Sequence, residues 1–468
     1  MKTRHYYFFY ILLFLMNGFA SSSAQETGKG DPLSSIDLLL IPPSPVSDHI
    51  LVDIRTGIKN NSPKKVIVSV SFFLDSIKPS KKLYSTKLEI KGHDVGVAKF
   101  NWPTKEQAGS HIIWAEINIG RSKRILQKNL EVISSDTRSS KRIDGSFMGF
   151  YHWSEKEGKY WNSDIKEMTD DDWRQMVKAQ HQLSMNIIVL QELFRNQEYN
   201  GQHNIDKNGY NGSAFYPSSL FGNRMQLAAK DPVEAVLSEA DRLGMNVFIA
   251  VGMYAWFDFS NGSLKWHKSV ANEIWEKYGH HPSFYGWYIS EEKDGGLGTD
   301  VERQEIVMFF KEFSEHVRKL APGKPVMLAT NSHNLRGAEN TYRALLPNLD
   351  ILCTFGFHRM PSTDLSGEEA ALKLQALCDQ FGTHFWLDLE IFDFAEENAL
   401  IPRSIDGLKS DLLRFPLFEK IICYQFPGLL SSPDMRLKPG GSRTIELFLA
   451  YKAYIDSLNE RDRRYSGK

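Results

Sequence analysis

Gly286-Trp287-Tyr288-Ile289-Ser290-Glu291-Glu292 is a short apolar run that ends in two carboxylates. Its length suits a strand rather than a helix. The flanking segments, Leu264 to Tyr278 and Val301 to Leu320, have helical periodicity. A buried strand between two helices is the repeat unit of a parallel α/β sheet.

The same alternation extends in both directions. Strands are expected at Ser146 to Trp153, Asn186 to Leu190, Val247 to Val251, Phe284 to Ser290, Pro325 to Ala329, Ile351 to Phe357, His384 to Ile391 and Ile421 to Phe426. Helices are expected at Asp170 to Leu183, Asp231 to Leu243, Gly367 to Phe381 and Arg443 to Leu458, besides the two already named. Eight strands alternating with helices predict a closed (β/α)8 TIM barrel over residues 144–460. No Gly-rich phosphate fingerprint follows the first strand, which argues against an open dinucleotide-binding sheet.

Residues 36–134 read differently. Short alternating runs, such as Val66 to Phe73 and His111 to Ile119, are separated by turn-rich pieces such as Asn60-Asn61-Ser62-Pro63. The spacing predicts an immunoglobulin-like β-sandwich acting as an accessory domain. Residues 135–143 are polar and read as a linker, and 461–468 as a tail. At the other end, Lys2 and Arg4 precede an apolar stretch from Tyr6 to Met16, and Ser22-Ser23-Ala24 offers a cleavage site. Residues 1–24 are therefore expected to be a signal peptide and 25–35 a polar leader, so the chain is expected to be exported, periplasmic or secreted. No later segment is apolar enough to suggest a membrane span.

Composition excludes several classes. The 468 residues are 42% hydrophobic and 24% charged, with formal net charge −1. No global field favours nucleic acid. Cys353, Cys378 and Cys423 are too few and too scattered for a disulfide framework or a zinc site. A monomer without cofactor is expected.

In a barrel of this kind the functional groups sit at the C-terminal ends of the strands. Side chains alternate along a strand. Glu292 therefore shares a face with Gly286, Tyr288 and Ser290, and Glu291 with Trp287 and Ile289. On the seventh strand Trp386, Asp388 and Glu390 share a face. Buried carboxylates without partners are costly, so this pair is either functional or a structural ion pair with an arginine. Glycoside hydrolysis commonly needs two carboxyl groups flanking the scissile bond, about 5–5.5 Å apart for retention and about 6.5–9.5 Å for inversion. Glu292 and Glu390, three strands apart, are the candidate catalytic pair.

Candidate substrate-binding residues come from the other strand ends: Tyr151, His152, Trp153, Gln191, Glu192, Tyr254, Trp256, Glu291, Asn331, His358, Asp388, Tyr424 and Gln425. They describe a polar, aromatic-walled cleft suited to an oligosaccharide or polysaccharide. The insertion from Asn196 to Arg224 reads as a substrate-binding loop or a merely solvated one. Lys420 starts the eighth strand, at the wrong end for a Schiff-base lysine. His280-His281 lies in a helix–strand turn without clustered ligands, which argues against a metal-dependent hydrolase.

Gly286-Trp287-Tyr288-Ile289 with Glu292 resembles the fourth-strand signature of a Bacteroidetes-type family of exported barrel proteins of unknown function. That family lies near the glycoside hydrolases. The two strand-end glutamates also resemble those of the large retaining clan of (β/α)8 glycosidases. The resemblance implies Glu292 as acid/base and Glu390 as nucleophile. It departs at one position, because the clan usually places Asn before the acid/base and this chain has Glu291. A non-catalytic glycan-binding protein on a degenerate barrel is the alternative expectation.

Overall fold

The computed structural model describes residues 33–195, 213–220, 222–254 and 258–466. The expected signal peptide lies outside them. Eight parallel strands close into a barrel in chain order: Gly145–Met148, Ile187–Leu190, Asn246–Ala250, Phe284–Ile289, Val326–Asn331, Ile351–Phe355, His384–Glu390 and Lys420–Tyr424. All eight lie within or beside the runs read from sequence. Among the described residues no helix is long and apolar enough to cross a membrane.

Short strands close the circle by pairing Ile422 with Gly145 and Cys423 with Ser146. A Cβ on Gly145 would lie 2.1 Å from the Ile187 carbonyl oxygen, so only glycine fits there. Phe147, Val189, Phe248, Tyr288, Met327, Cys353, Trp386 and Ile422, one from each strand, form a cluster inside the barrel. The alternate residues, including Trp287, Ile289, Leu387 and Leu389, join a larger core under the surrounding helices. Two faces buried in two cores explain why each strand reads as a continuous apolar run. The three cysteines are free and buried.

Sequence periodicity did not reveal three shorter helices: Asn162–Glu167, Glu339–Leu345 and Ile405–Arg414. At six to ten residues each, they are too short to display a hydrophobic period.

Two sheets make up the N-terminal region. One contains Leu33–Ile41, Leu51–Asn60 and Val95–Pro103. The other contains Val46–Ser47, Ser122–Ile133, Gly109–Ile119, Val66–Leu74 and Lys82–Ile90. Their facing sides share one core, with Leu38, Leu40, Val52 and Ile54 against Val70, Phe72, Ile113 and Ala115. The strand Leu33–Ile41 begins inside the expected leader. Its alternate residues feed two cores: Leu38 and Leu40 enter the sandwich, while Leu39 and Ile41 join the cluster inside the barrel. The sandwich thus plugs the N-terminal end of the barrel.

The junction between sandwich and barrel is polar and tight. Buried Arg55 bridges Asp53 of its own strand and Asp350 below the sixth barrel strand, each at 2.6 Å. Burial alone would raise the Asp350 carboxyl, but Arg55 and Arg318 outweigh it and hold that group well below the usual range. Tyr285 hydroxyl donates to the Leu40 carbonyl at 2.6 Å. A Cβ on Gly57 would sit 1.7 Å from the Pro322 carbonyl oxygen. Residues 135–143 do not hang free: Ser139 N–H donates to the Pro416 carbonyl and Ile143 N–H to the Tyr451 hydroxyl.

Lys420 sits at the barrel's N-terminal end, as its position in the strand predicted. Its Nζ lies 2.6 Å from Asp144 Oδ1, and both side chains are almost wholly buried. It also donates to the Pro45 carbonyl of the sandwich. Removing one partner of such a pair strands the other charge in a low-dielectric site. Lys420→Met should therefore lower the free energy of unfolding by about 3–5 kcal/mol. Urea denaturation followed by circular dichroism measures this, and a loss below about 1 kcal/mol contradicts it.

Candidate active site

Tyr288 points into the barrel, so Ser290 and Glu292 follow on the inner face beyond the end of the fourth strand. Trp386 likewise points inward, and Asp388 and Glu390 follow it up the seventh strand. For Asp388 and Glu390, which lie within their strand, this agrees with the alternation read from sequence. The inner face of two strands across the barrel therefore delivers carboxyl groups to its C-terminal end.

Glu390 is nearly buried, at 3% exposure, and is the most constrained of them. Arg359 Nε donates to Glu390 Oε1 at 2.7 Å, and Nη2 lies 2.7 Å from the same oxygen. His358 Nδ1 lies 3.0 Å from Oε2. Burial pushes the carboxyl up, but His358 and Arg359 together outweigh burial and hold it below the usual value. Arg359 and His358 sit in a short turn, Phe357–Arg359, right after the sixth strand. Glu390 is thus an anion at neutral pH.

Glu292 has no hydrogen-bond or ion-pair partner among the described residues. Burial pushes its carboxyl up to about 7. Arg359 opposes that rise, while the neighbouring charges of Glu390 and Glu157 add to it. Asp388 lies deeper, 6% exposed. Burial, then Glu390 and Glu292, drive it well above the usual range against the pull of Arg359. Like charges sharing one site cannot all ionise, and here the arginine selects Glu390 as the ionised member.

Glu157 was not anticipated. It lies in the loop after the first strand, where no periodicity marks it, and only proximity in space reveals it. Burial pushes its carboxyl up to about 7 against the pull of Arg359. Its backbone is pinned: its N–H donates to Ser154 Oγ at 3.2 Å and its carbonyl accepts from Leu400 N–H at 3.1 Å. Leu400 belongs to a hairpin, Phe392–Phe394 with Leu400–Pro402, that follows the seventh strand and was also missed. His333, after the fifth strand, joins the same neighbourhood. Its pKa is lowered by burial and by Arg359.

A polar track runs across the mouth. Gln191 Nε2 donates to the Tyr424 hydroxyl at 3.4 Å. That hydroxyl lies 3.3 Å from His152 Nε2, which lies 3.7 Å from Glu157 Oε2. Burial pushes the His152 imidazole down to about 3, Arg195 adding to the effect against the Ser154 carbonyl, so the ring is neutral. Trp153 stacks on His152 with centroids 5.5 Å apart. Asn331 accepts from His333 N–H at 2.8 Å. Gln425 Nε2 donates to the Pro427 carbonyl, and its Oε1 is buried without a partner.

Three expected site residues serve the scaffold instead. Glu291 is 1% exposed and its Oε1 accepts from the Tyr254 backbone N–H at 2.8 Å. It lies on the outer face and fixes the end of the third strand. Tyr254 itself packs in the core beneath the helices, its ring 5.7 Å from Trp266. Glu192 is buried in an ion pair with Arg195. Arg195 also donates to the Tyr151 carbonyl and lies over the Tyr151 and Phe215 rings. The Tyr151 hydroxyl donates to Glu155. Trp256 and most of the insertion from Asn196 lie outside the described residues. The described part of that insertion is clamped to the barrel. Glu273 accepts from the Tyr216, Ser218 and Ser219 hydroxyls at 2.6–2.7 Å.

Residues 143–436 match the profile of the family described as Domain of unknown function (DUF4434). A β-glucuronidase of Canis lupus familiaris is 28% identical over 130 residues, 27% of this chain and 18% of that protein. The β-glucuronidase of Sus scrofa is 26% identical over 128 residues, with the same coverage. The chain thus spans less than a fifth of the length of these curated relatives. Among solved structures, a candidate α-L-fucosidase from Bacteroides thetaiotaomicron superposes with TM-score 0.50 at 15% identity. That superposition covers 69% of this chain and 95% of the other. At that identity the likeness concerns the fold.

Glu292 and Glu157 also give stability a pH signature. Each is held near 7 in the folded chain, above the ordinary glutamate value of about 4.3. The unfolded chain releases these protons first. Their contribution to stability is full below the ordinary value and is lost as pH rises to about 7. Glu292→Gln should therefore gain thermal stability relative to the parent at pH 8 compared with pH 4. Calorimetric Tm measured across that range checks this, and a constant difference contradicts it.

Proposed function

The chain belongs to the family described as Domain of unknown function (DUF4434), and on that premise we propose that it is a glycoside hydrolase. In this reading Glu292 is the acid/base and Glu390 the nucleophile of a retaining mechanism. One contrast carries it: of the two glutamates at the ends of strands four and seven, burial raises Glu292 to about 7 while His358 and Arg359 hold Glu390 below the usual value. A proton donor with a pKa near 7 and an anionic carboxylate facing it are what cleavage of a glycosidic bond requires.

Glu292 protonates the departing glycosidic oxygen. Glu390 attacks the anomeric carbon and forms a glycosyl ester while that bond breaks. Glu292, now an anion, then takes a proton from water, which attacks the ester and regenerates Glu390. Arg359 keeps Glu390 ionised and in place. The arrangement is an ion pair with an arginine, but it sits at the C-terminal end of the barrel, where functional groups of such barrels gather. The sugar-stacking surface is Trp153, and Tyr424, His152 and Gln191 supply hydrogen bonds to hydroxyls. Glu291 stands where the clan's asparagine would contact the sugar 2-hydroxyl, but it is committed to Tyr254. A different group must serve that hydroxyl, and Glu157, beside His152 at the mouth, is the candidate.

The substrate is an oligosaccharide or polysaccharide, and the likeness to β-glucuronidases over 130 residues supports that class. We read the sandwich as an immunoglobulin-like accessory domain and the protein as exported and monomeric.

The test is hydrolysis of a panel of aryl glycosides that includes β-glucuronides and α-L-fucosides. Glu390→Gln and Glu292→Gln should each lower kcat by about 10²–10⁴-fold. Parent activity should fall as pH rises through about 7, where Glu292 loses its proton, and Glu292→Gln should lack that limb. Glycan binding without turnover by the parent chain would identify a non-catalytic binder. Full activity in both folded variants would overturn the assignment.

A further inference from the structure

We propose that Glu234, His280 and His281 form a divalent transition-metal site of the zinc type, on the outside of the barrel and apart from its mouth. The adjacent histidines supply two ligands by themselves, and a third must come from elsewhere in the chain. Folding supplies one, because the helix Pro232–Leu243 packs beside the turn that enters the fourth strand and brings Glu234 to them. One ligand atom from each of the three residues lies within 4.8 Å of the others.

The surroundings are arranged as for a metal ligand. His281 Nδ1 lies 2.6 Å from Asp241 Oδ2. Asp241 is itself held by Ser283, whose backbone N–H donates to Oδ1 at 2.7 Å. A carboxylate on one ring nitrogen fixes the tautomer and turns the other nitrogen's lone pair outward. That other nitrogen, Nε2, lies 3.0 Å from Glu234 Oε2. Two acceptors facing each other at this distance need a cation between them, either a proton or a metal ion. Two ligand atoms bound tetrahedrally at about 2.0–2.2 Å to one ion sit about 3.3–3.6 Å apart, so a shift of a few tenths of an ångström admits the ion. The His280 ring lies tilted against His281, centroids 4.2 Å apart. It is exposed and has no hydrogen-bond partner among the described residues, so it is free to turn its nitrogen inward. Two imidazoles and one carboxylate favour zinc-like ions over magnesium or calcium. Three protein ligands leave a position for water. Uptake displaces the competing proton and so weakens in acid. The ion would tie that helix to the base of the strand that carries Glu292.

Untagged, chelator-treated protein is titrated with zinc chloride by calorimetry at pH 7.5, with Tm read in parallel. One saturable site that raises Tm is expected. His280→Ala should weaken zinc binding at least tenfold, and Asp241→Asn about tenfold. Magnesium should not compete. No saturable heat, or unchanged zinc affinity in either variant, overturns the proposal and leaves His281 as a protonated bridge between Asp241 and Glu234.

Discussion

The Lys420–Asp144 ion pair is the constraint on which the architecture turns. It joins the last barrel strand to the residue before the first one, and through Pro45 it also holds the sandwich. Asp144 Oδ2 accepts the Ile421 N–H as well, so its charge is satisfied on both oxygens. Closure removes the sheet edges and obliges alternate residues of every strand to face a narrow interior. Leu39 and Ile41 seal one end of that interior. Polar groups that must stay near water are left with the other end.

That asymmetry explains the electrostatics of the mouth. Asp388, Glu292 and Glu157 lie in surroundings that penalise their charged forms, and of the four only Glu390 has partners, His358 and Arg359, close enough to offset the penalty. His358 and Arg359 thereby set Glu390 apart from the three carboxyls that burial raises. A site with an acid and an anion on opposite strands is chemically directional, which a symmetric cluster of carboxylates would not be. Its neighbours are held by the scaffold: Glu291 by Tyr254, Glu192 by Arg195 and the clamped insertion by Glu273.

Period and length made the barrel legible. Each strand buries both faces, so its apolar run stands out, and alternation along Trp386-Leu387-Asp388-Leu389-Glu390 assigns the inner face. What escaped the sequence depends on proximity between distant segments. Glu157 and His333 sit in loops without a pattern, and their importance arises from Arg359 in another loop. The strand Leu33–Ile41 was hidden because its two faces enter different cores, which erases alternation. Glu291 and Glu192 look like site residues because they end strands, yet each is turned outward or sideways to a partner that no spacing rule reveals. The same holds for Glu234, which reaches His281 across two helices.

The sharpest test of this account needs no substrate. Carbon-13 NMR of glutamate-labelled protein, with resonances assigned through Glu292→Gln and Glu390→Gln, reads each carboxyl's titration directly. The account predicts that Glu292 titrates near pH 7 and Glu390 below the ordinary carboxylate range. If both glutamates instead titrate together near the ordinary value of about 4.3, the opposition of acid and anion at the barrel mouth does not exist.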